Sequence, residues 1–286
     1  MSYSQTITTP RSQSEDYYNN NRKDTHMNPF AEIEVTPLFY RDGMKSQGNS
    51  VRIRDDEQVW EEIGVVSPNY LLVHNSKVKE TLDTIADKSN INDWKERKVF
   101  FDGRRFIYAI TTDTVQAEIA PGDCIRFGLI AYNSYDGSRA LSVGAYAEHL
   151  LCSNGMTSDM YFARFTFRHQ KGNINWDEET EKAFTSIMPQ SKERLVRFAS
   201  VLGKLNRKVI TLMDLKYLRK EFLQEFNSSS WGKVMDRYLL HEKHNAFGLL
   251  DACTRIFWQN AKPSVTDYRN NTYATDGMIN FSQRLN

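Results

Sequence analysis

Cys152 is the side chain here best suited by type to nucleophilic chemistry, with His149 three positions before it and Ser153 and Asn154 directly after it. A thiol attacks only as the thiolate, so a cationic or helix-terminal neighbour has to lower its pKa. The sequence places no such group beside Cys152, which reads as a buried structural cysteine at a strand end. Ser134 and Ser138 flank Asp136, but the Gly-x-Ser-x-Gly elbow that presents a catalytic serine is absent. Asp136-Gly137 between short polar residues is ordinary turn chemistry, in which glycine tolerates positive φ and the side chains bond their own backbone. The HEKHN stretch carries His241 and His244. Their i, i+3 spacing is not the i, i+4 of a zinc-protease HExxH motif, no third ligand is evident, and they read as a solvated pair. Asp55-Asp56, Glu61-Glu62 and Glu178-Glu179 are sequence neighbours, so their carboxylates diverge on a strand or sit side by side on a helix. No P-loop, dinucleotide-binding or kinase motif occurs. No catalytic residue, metal or cofactor is expected.

Two stretches point to phosphate contact instead. In "YFARFTFRHQKGN", Tyr161 to Asn173, the aromatics interleave with Arg164, Arg168, His169 and Lys171, and no acidic residue interrupts them. On an extended chain Phe165 and Phe167 point one way and Arg164 and Arg168 the other. Aromatic rings that stack bases beside cations that hold phosphates are what a single-strand groove needs. In "GKLNRKVITLMDLKYLRKEF", Gly203 to Phe222, Lys204, Arg207, Lys208, Lys216, Arg219 and Lys220 face only Asp214 and Glu221. Arg97, Lys98, Arg104 and Arg105 extend the basic surface. The bland alternatives are a strand with a buried Phe face and a helix with a mixed solvated face.

The elements that would position these residues follow from periodicity. The chain has 286 residues, with 37 Lys and Arg against 36 Asp and Glu, so net charge implies no polyanionic partner and any basic surface is local. Three widely spaced cysteines build neither a disulfide framework nor a CxxC metal site, which fits a reducing cytoplasm. Neither a signal-peptide core nor a membrane-length apolar run occurs, so no membrane partner is expected. Residues 1–29 are polar and poor in aliphatic residues, and are expected to be disordered. A single α+β domain is expected over 30–260, with an antiparallel sheet over about 30–170 and helices over about 176–258 that cover one of its faces. The strand signals are alternation in "IEVTPLFYRDG" and hairpins at Asp102-Gly103 and Tyr135-Asp136-Gly137. They read as a meander of about four strands. Val78, Leu82 and Ile85 mark a helix capped by Ser76. Leu195, Phe198, Ala199, Leu202 and Leu205 form an apolar stripe. Thr211 caps a helix that turns Leu215, Leu218, Phe222 and Phe226 inward, and a further helix covers about Val234 to Phe257. Residues 261–286 read as mostly irregular.

One pattern resembles a known family. Asn133-Ser134-Tyr135-Asp136-Gly137-Ser138 is followed by Leu151-Cys152-Ser153-Asn154-Gly155-Met156. This resembles the phage/plasmid-like family of domain-of-unknown-function 932. "VRIRDDEQVWEEIGVVSPNYLLVHN" is similar through Arg54, Asp55, Gly64, Val65, Val66, Tyr70 and Asn75, and "HNAFGLLDACTRIF" is similar to a later family element. The resemblance spans about residues 35–257. Tyr135 stands where the family often has His, Phe247 replaces a Trp and Asp251 replaces an Asn. The resemblance implies a phage or plasmid genome, or its bacterial host, and implies no reaction.

These readings lead to a non-enzymatic DNA-binding protein of replication or recombination. It would hold single strands through Arg164, Arg168, Lys171, Lys204, Arg207, Lys208, Lys216, Arg219 and Lys220, with Phe165 and Phe167 stacking bases. The meander followed by a long helix is an architectural analogy to single-strand-annealing proteins, and it favours a homo-oligomer. The alternatives are a virion or assembly protein, and an enzyme in which Asn133, Asp136, Ser138, Cys152 and Asn154 converge, centred on Asp136 and Cys152.

Overall fold

A computed structural model describes residues 28–54, 59–167, 174–221, 223–241, 243–260 and 265–284. The expected disordered tail, Arg168, Lys171, Phe222 and the Asp55-Asp56 pair therefore lie outside the described residues, apart from 28 and 29 of the tail. The chain is α+β, as the periodicity predicts. Strands β1 Ile33–Phe39, β2 Lys45–Arg54 and β3 Trp60–Val66 form an antiparallel sheet in that order. Helix α1, Asn75–Lys88, follows. A second sheet has the order β4-β5-β6-β7-β8, from Lys95–Phe101, Arg105–Ala120, Asp123–Ser134, Ser142–His149 and Gly155–Met156, and β9, Arg164–Thr166, also pairs with β7. Helices α2 Trp176–Ile187, α3 Ser191–Arg207, α4 Leu212–Glu221, α5 Ser228–Leu239, α6 Ala246–Trp258 and α7 Val265–Gln283 complete the described chain.

The three turn signals behave as their residues dictate. Gly43, Gly103 and Gly137 adopt φ of 83°, 87° and 73° at the β1–β2, β4–β5 and β6–β7 turns, a region that costs a residue without Cβ nothing. The meander is larger than expected, because β5 runs through sixteen residues and β6 through twelve.

The second sheet is covered on both faces, which corrects the expectation of one. Side chains alternate across a strand. Phe106, Tyr108, Phe127, Leu129, Ala131, Val143 and Ala145 join a core cluster with Val78, Leu82 and Ile85 of α1 and with Leu195, Phe198, Ala199, Leu202 and Leu205 of α3. Their neighbours Phe100, Ile107, Ala109, Ile130, Tyr132 and Tyr146 form a second cluster with Trp258 and Tyr268. The second cover comes from Trp258 at the end of α6 and from Tyr268 of α7, the latter in the segment expected to be irregular. Helix α7 carries little apolar periodicity because polar residues share its inward face with Ala274, Met278, Ile279 and Phe281. Asn271, Thr272 and Thr275 are buried. The Asn271 side chain accepts from the Thr157 amide at 3.0 Å and donates to the Gly155 carbonyl at 2.9 Å. Buried polar groups stay stable only when paired in this way.

Two helix boundaries also move. Helix α1 begins at Asn75 without a side-chain cap, so Ser76 lies inside its first turn. The helix expected over about 234–257 is two helices, because the Asn245 side chain accepts from Gly248 N at 2.8 Å and starts α6 afresh. Thr211 caps α4 as expected: its hydroxyl accepts from Asp214 N at 3.1 Å while the Asp214 carboxylate accepts from Thr211 N at 2.9 Å.

Candidate functional site

The motif residues separate into two groups at opposite ends of β6. Asn133 and Ser134 end the strand, whereas Ile125 near its start pairs with His149 of β7. Nine residues at about 3.3 Å each put roughly 30 Å between them. An enzyme centred jointly on Asp136 and Cys152 is thus not assembled.

The Asn133 end is architecture. Asn133 and Ser134 are fully buried. The Asn133 amide donates to the Val73 carbonyl at 2.8 Å and to Asn75 Oδ1 at 2.9 Å. Tyr70 donates its hydroxyl to the Ser134 carbonyl at 2.6 Å, and Asn75 N donates to the Tyr135 hydroxyl at 2.9 Å. Ser138 N donates to Asp136 Oδ1 at 2.9 Å, an Asx turn around Gly137. Gly64 lets β3 press on this turn, since a Cβ there would lie 2.8 Å from Asp136 Cβ. These residues splice the small sheet and the start of α1 to the end of β6. Tyr135, where relatives often carry His, is interior, with its ring edge on Phe101 at 5.8 Å. Burial pushes its hydroxyl pKa up to about 12.

The Cys152 end gathers chemical donors. His149 sits opposite Ile125, and Asp123 is two residues further along the same face, a diagonal cross-strand neighbour. His149 Nε2 lies 2.5 Å from Asp123 Oδ1, and its Nδ1 lies 2.9 Å from Cys152 Sγ. Cys152 Sγ donates to Asp251 Oδ1 at 2.8 Å. Asp251 reaches the site from α6, one helical turn after Phe247, whose ring meets the His149 ring edge-on at 5.2 Å. Asn154 Nδ2 donates to the same Asp251 oxygen at 2.9 Å, and Gln259 Nε2 donates to Cys152 O at 2.9 Å and Asn154 Oδ1 at 2.7 Å. His241 Nε2 lies 3.2 Å from Asp251 Oδ2, so His241 is a partner of the site and not half of a solvated pair. His244 is exposed, with Nε2 3.3 Å from the Leu239 carbonyl. The loop bearing His241 and Lys243 approaches α6 because Gly248 has no side chain: a Cβ there would lie 1.9 Å from the Lys243 carbonyl oxygen.

The electrostatics oppose nucleophilic use of Cys152. Burial, then the neighbouring Asp251 carboxylate, pushes the thiol far above its usual pKa. Burial works against the Asp251 carboxylate too, yet His149, His241 and Cys152 around it hold its pKa well below the usual range. Burial depresses His149, and Asp251 with Asp123 more than offsets that and raises it. The thiol therefore stays protonated near neutrality. Cys152 and Asn154 stand out in the sequence, whereas the part that Asp123, Asp251, His241, Lys243 and Gln259 play in this site does not. The His-x-x-Cys spacing at a strand end and the unusual Asp251 were the available signals.

The expected nucleic-acid residues divide as well. Phe167 is buried, stacked on Trp176 at 5.7 Å and edge-on to Phe165 at 4.9 Å. It fills the core under α2, which corrects the stacking role given to it. Phe165 is half-buried against the core. Arg164 is exposed and paired with Asp159 at 3.3 Å. Arg219 is tied to the Leu223 and Phe226 carbonyls and lies over the Trp231 ring at 5.4 Å, so it closes the end of α4 and is not available to phosphate. Lys208 pairs with Asp214 at 3.5 Å. Lys204, Arg207 and Lys216 are exposed and have no ion-pair partner among the described residues. Lys220 is 84% exposed beside Glu221. Among the described residues no helix is long and apolar enough to cross a membrane.

The sequence matches the family described as Domain of unknown function (DUF932) over residues 62–260, well over half of the chain. No curated protein and no solved structure matches.

Proposed function

The chain belongs to the family of domain of unknown function 932, and on that premise we propose that it binds single-stranded nucleic acid, without catalysis, in the replication or recombination of a phage or plasmid genome. The observation that carries this reading is the set of exposed cations Lys204, Arg207 and Lys216, without an ion-pair partner among the described residues, with Lys220 beside them, along the end of α3 and the length of α4. Of the two carboxylates among them, Asp214 is already spent on Thr211 and Lys208, and Glu221 lies beside Lys220 alone. Val209, Leu212 and Met213 stand exposed in the same connection. Cations there hold phosphates, and the apolar side chains meet base faces that only an unpaired strand presents. The buried Phe167 and the tied Arg219 leave the proposed interface.

Exposed Leu239 and Leu240 close α5 just before the Val209–Asn245 bridge, which favours contact between copies of the chain on the neighbouring surface. An assembly role without nucleic acid is the rival reading.

Fluorescence anisotropy of a labelled ~30-mer single strand, at about 50 and 200 mM salt, tests the proposal. Four phosphate contacts at about −0.7 each give a slope near −3, so affinity falls on the order of 50-fold between the two salts. Replacing Lys204, Arg207, Lys216 and Lys220 by Gln flattens that slope. Absence of binding at the lower salt, with salt-insensitive self-association, replaces this reading with the assembly one.

A further inference from the structure

We propose that His149, Cys152 and Asp251 form a three-donor binding site for a zinc-class divalent metal ion. Nδ1 of His149, Sγ of Cys152 and a carboxylate oxygen of Asp251 all lie within 4.8 Å of one another. The individual separations are 2.9 Å from Nδ1 to Sγ, 2.8 Å from Sγ to Oδ1 and 3.7 Å from Nδ1 to Oδ1. Zinc bonds of about 2.3 Å to sulfur and about 2.0 Å to nitrogen or oxygen, at tetrahedral angles, set donors roughly 3.3–3.6 Å apart. The third separation is already close to that, and the other two open by under about 1 Å once the shared protons leave.

The partners behind the three donors carry the argument beyond the cluster itself. A metal-ligating histidine commonly gives its other ring N–H to a carboxylate, which fixes the tautomer and aims the free lone pair. Asp123 stands 2.5 Å from His149 Nε2, on the ring edge away from Cys152. Its second oxygen accepts from Lys243 Nζ at 3.1 Å, so this buried carboxylate is held in place and compensated. Asp251 is oriented in the same manner. Its Oδ2 lies 3.2 Å from Nε2 of His241, whose Nδ1 accepts from the Lys243 amide at 3.0 Å, which leaves Nε2–H to point at Asp251. The other oxygen, Oδ1, is turned toward Cys152 and His149. Asp123 and His241 are thus positioning residues for two of the donors.

The donor set selects the ion. One thiolate, one imidazole and one carboxylate suit a borderline-soft ion of zinc type, whereas magnesium and calcium take oxygen ligands. Three protein donors leave a fourth position, which a water fills. Binding replaces the Cys152 proton and whatever proton lies between His149 and the sulfur, so metal uptake releases acid. This proposal stands apart from nucleic-acid binding, because none of its residues lies on the α3–α4 surface.

The experiment uses the full chain, reduced and stripped with chelator, and titrates it with Co(II) as spectroscopic probe. A thiolate-to-Co(II) charge-transfer band together with intense tetrahedral d–d bands, saturating at one equivalent and displaced by Zn(II), is expected. The band disappears in Cys152→Ser and persists in Cys124→Ser and Cys253→Ser. Asp123→Asn keeps the band and lowers Zn(II) affinity on the order of 10–100-fold, as loss of an outer partner does. Asp251→Asn, a near-isosteric change, weakens binding while far-UV circular dichroism stays unchanged, which separates lost ligation from lost fold. A reduced, folded wild-type chain that shows no thiolate band, or a band that survives Cys152→Ser, overturns the proposal.

Discussion

Lys98 on β4 donates to the Trp258 carbonyl at the end of α6, with its ammonium 5.0 Å from the Trp258 ring and 5.6 Å from that of Tyr268. Burial of this charge lowers its pKa to about 7 from an ordinary 10.5, while Asp267 draws it upward. At about 1.4 kcal/mol per unit, the gap is worth roughly 4–5 kcal/mol of penalty on the charged form. The folded pKa is depressed, so above about 7 the folded state has given up a proton that the unfolded state keeps until about 10.5. Stability contributed by this group therefore rises with pH across that window, and the penalty is fully present below it.

Lys98→Met keeps the stem and removes the titration. Urea unfolding of both proteins at about pH 6 and about pH 10 isolates the lysine, because the tyrosines and cysteines titrate alike in the two and cancel in the difference. At the lower pH the variant gains about 4–5 kcal/mol from the missing charge and loses about 1 kcal/mol with the bond to Trp258 O, so it is more stable by about 3–4 kcal/mol. At the higher pH only the lost bond remains and the wild type leads by about 1 kcal/mol. A stability difference that stays constant with pH refutes the reasoning, because Lys98 would then keep one charge state throughout.

Three other changes probe the packing. Phe167→Ala opens a cavity between Trp176 and Phe165 and costs about 3–5 kcal/mol in denaturant unfolding, while the salt slope of nucleic-acid binding is unchanged. An altered slope would return Phe167 to the interface. Gly155→Ala places a Cβ 2.5 Å from the Trp258 ring and lowers stability by about 1–3 kcal/mol, read as a reduced melting temperature and a shift in Trp emission. Tyr135→Phe leaves the buried Asn75 amide without its acceptor and costs about 1–3 kcal/mol; a neutral result would show that the start of α1 does not depend on that bond.

The sequence carried the parts of this fold that repeat a simple period. The Leu195–Leu205 stripe and the Val78, Leu82 and Ile85 face are buried as their spacing requires. The Asp-Gly turns fall where glycine permits positive φ. What the sequence hid was burial of polar surface. Asn271, Thr272 and Thr275 of α7 satisfy one another and the β8 edge through hydrogen bonds, and nothing in their composition separates them from a solvated loop. Arg219 is equally opaque. A cation on a helix face reads as solvated until the chain beyond the helix is seen to fold its carbonyls under it. Phe167 follows β9 directly, and alternation groups it with Phe165 without deciding which face of so short a strand packs inward.

Position 251 is where this chain most changes the character of its family pattern. With Asn there, as the resemblance implies for relatives, the same α6 site would offer Asn154 and Cys152 one neutral oxygen, and the node would be a polar anchor tying α6 to the β7–β8 turn. With Asp251 the site holds two carboxylates, Asp123 and Asp251, on either side of one imidazole, all within the fold. Two buried anions need compensation by cations, protons or a metal. Lys243 compensates Asp123, and His241 is hydrogen-bonded to Asp251. The remaining demand falls on His149 and Cys152, the two groups that can either hold protons for Asp251 or release them to an ion. A polar anchor needs neither, which is why Asp251→Asn separates an architectural node from a binding site more sharply than removal of the thiol does.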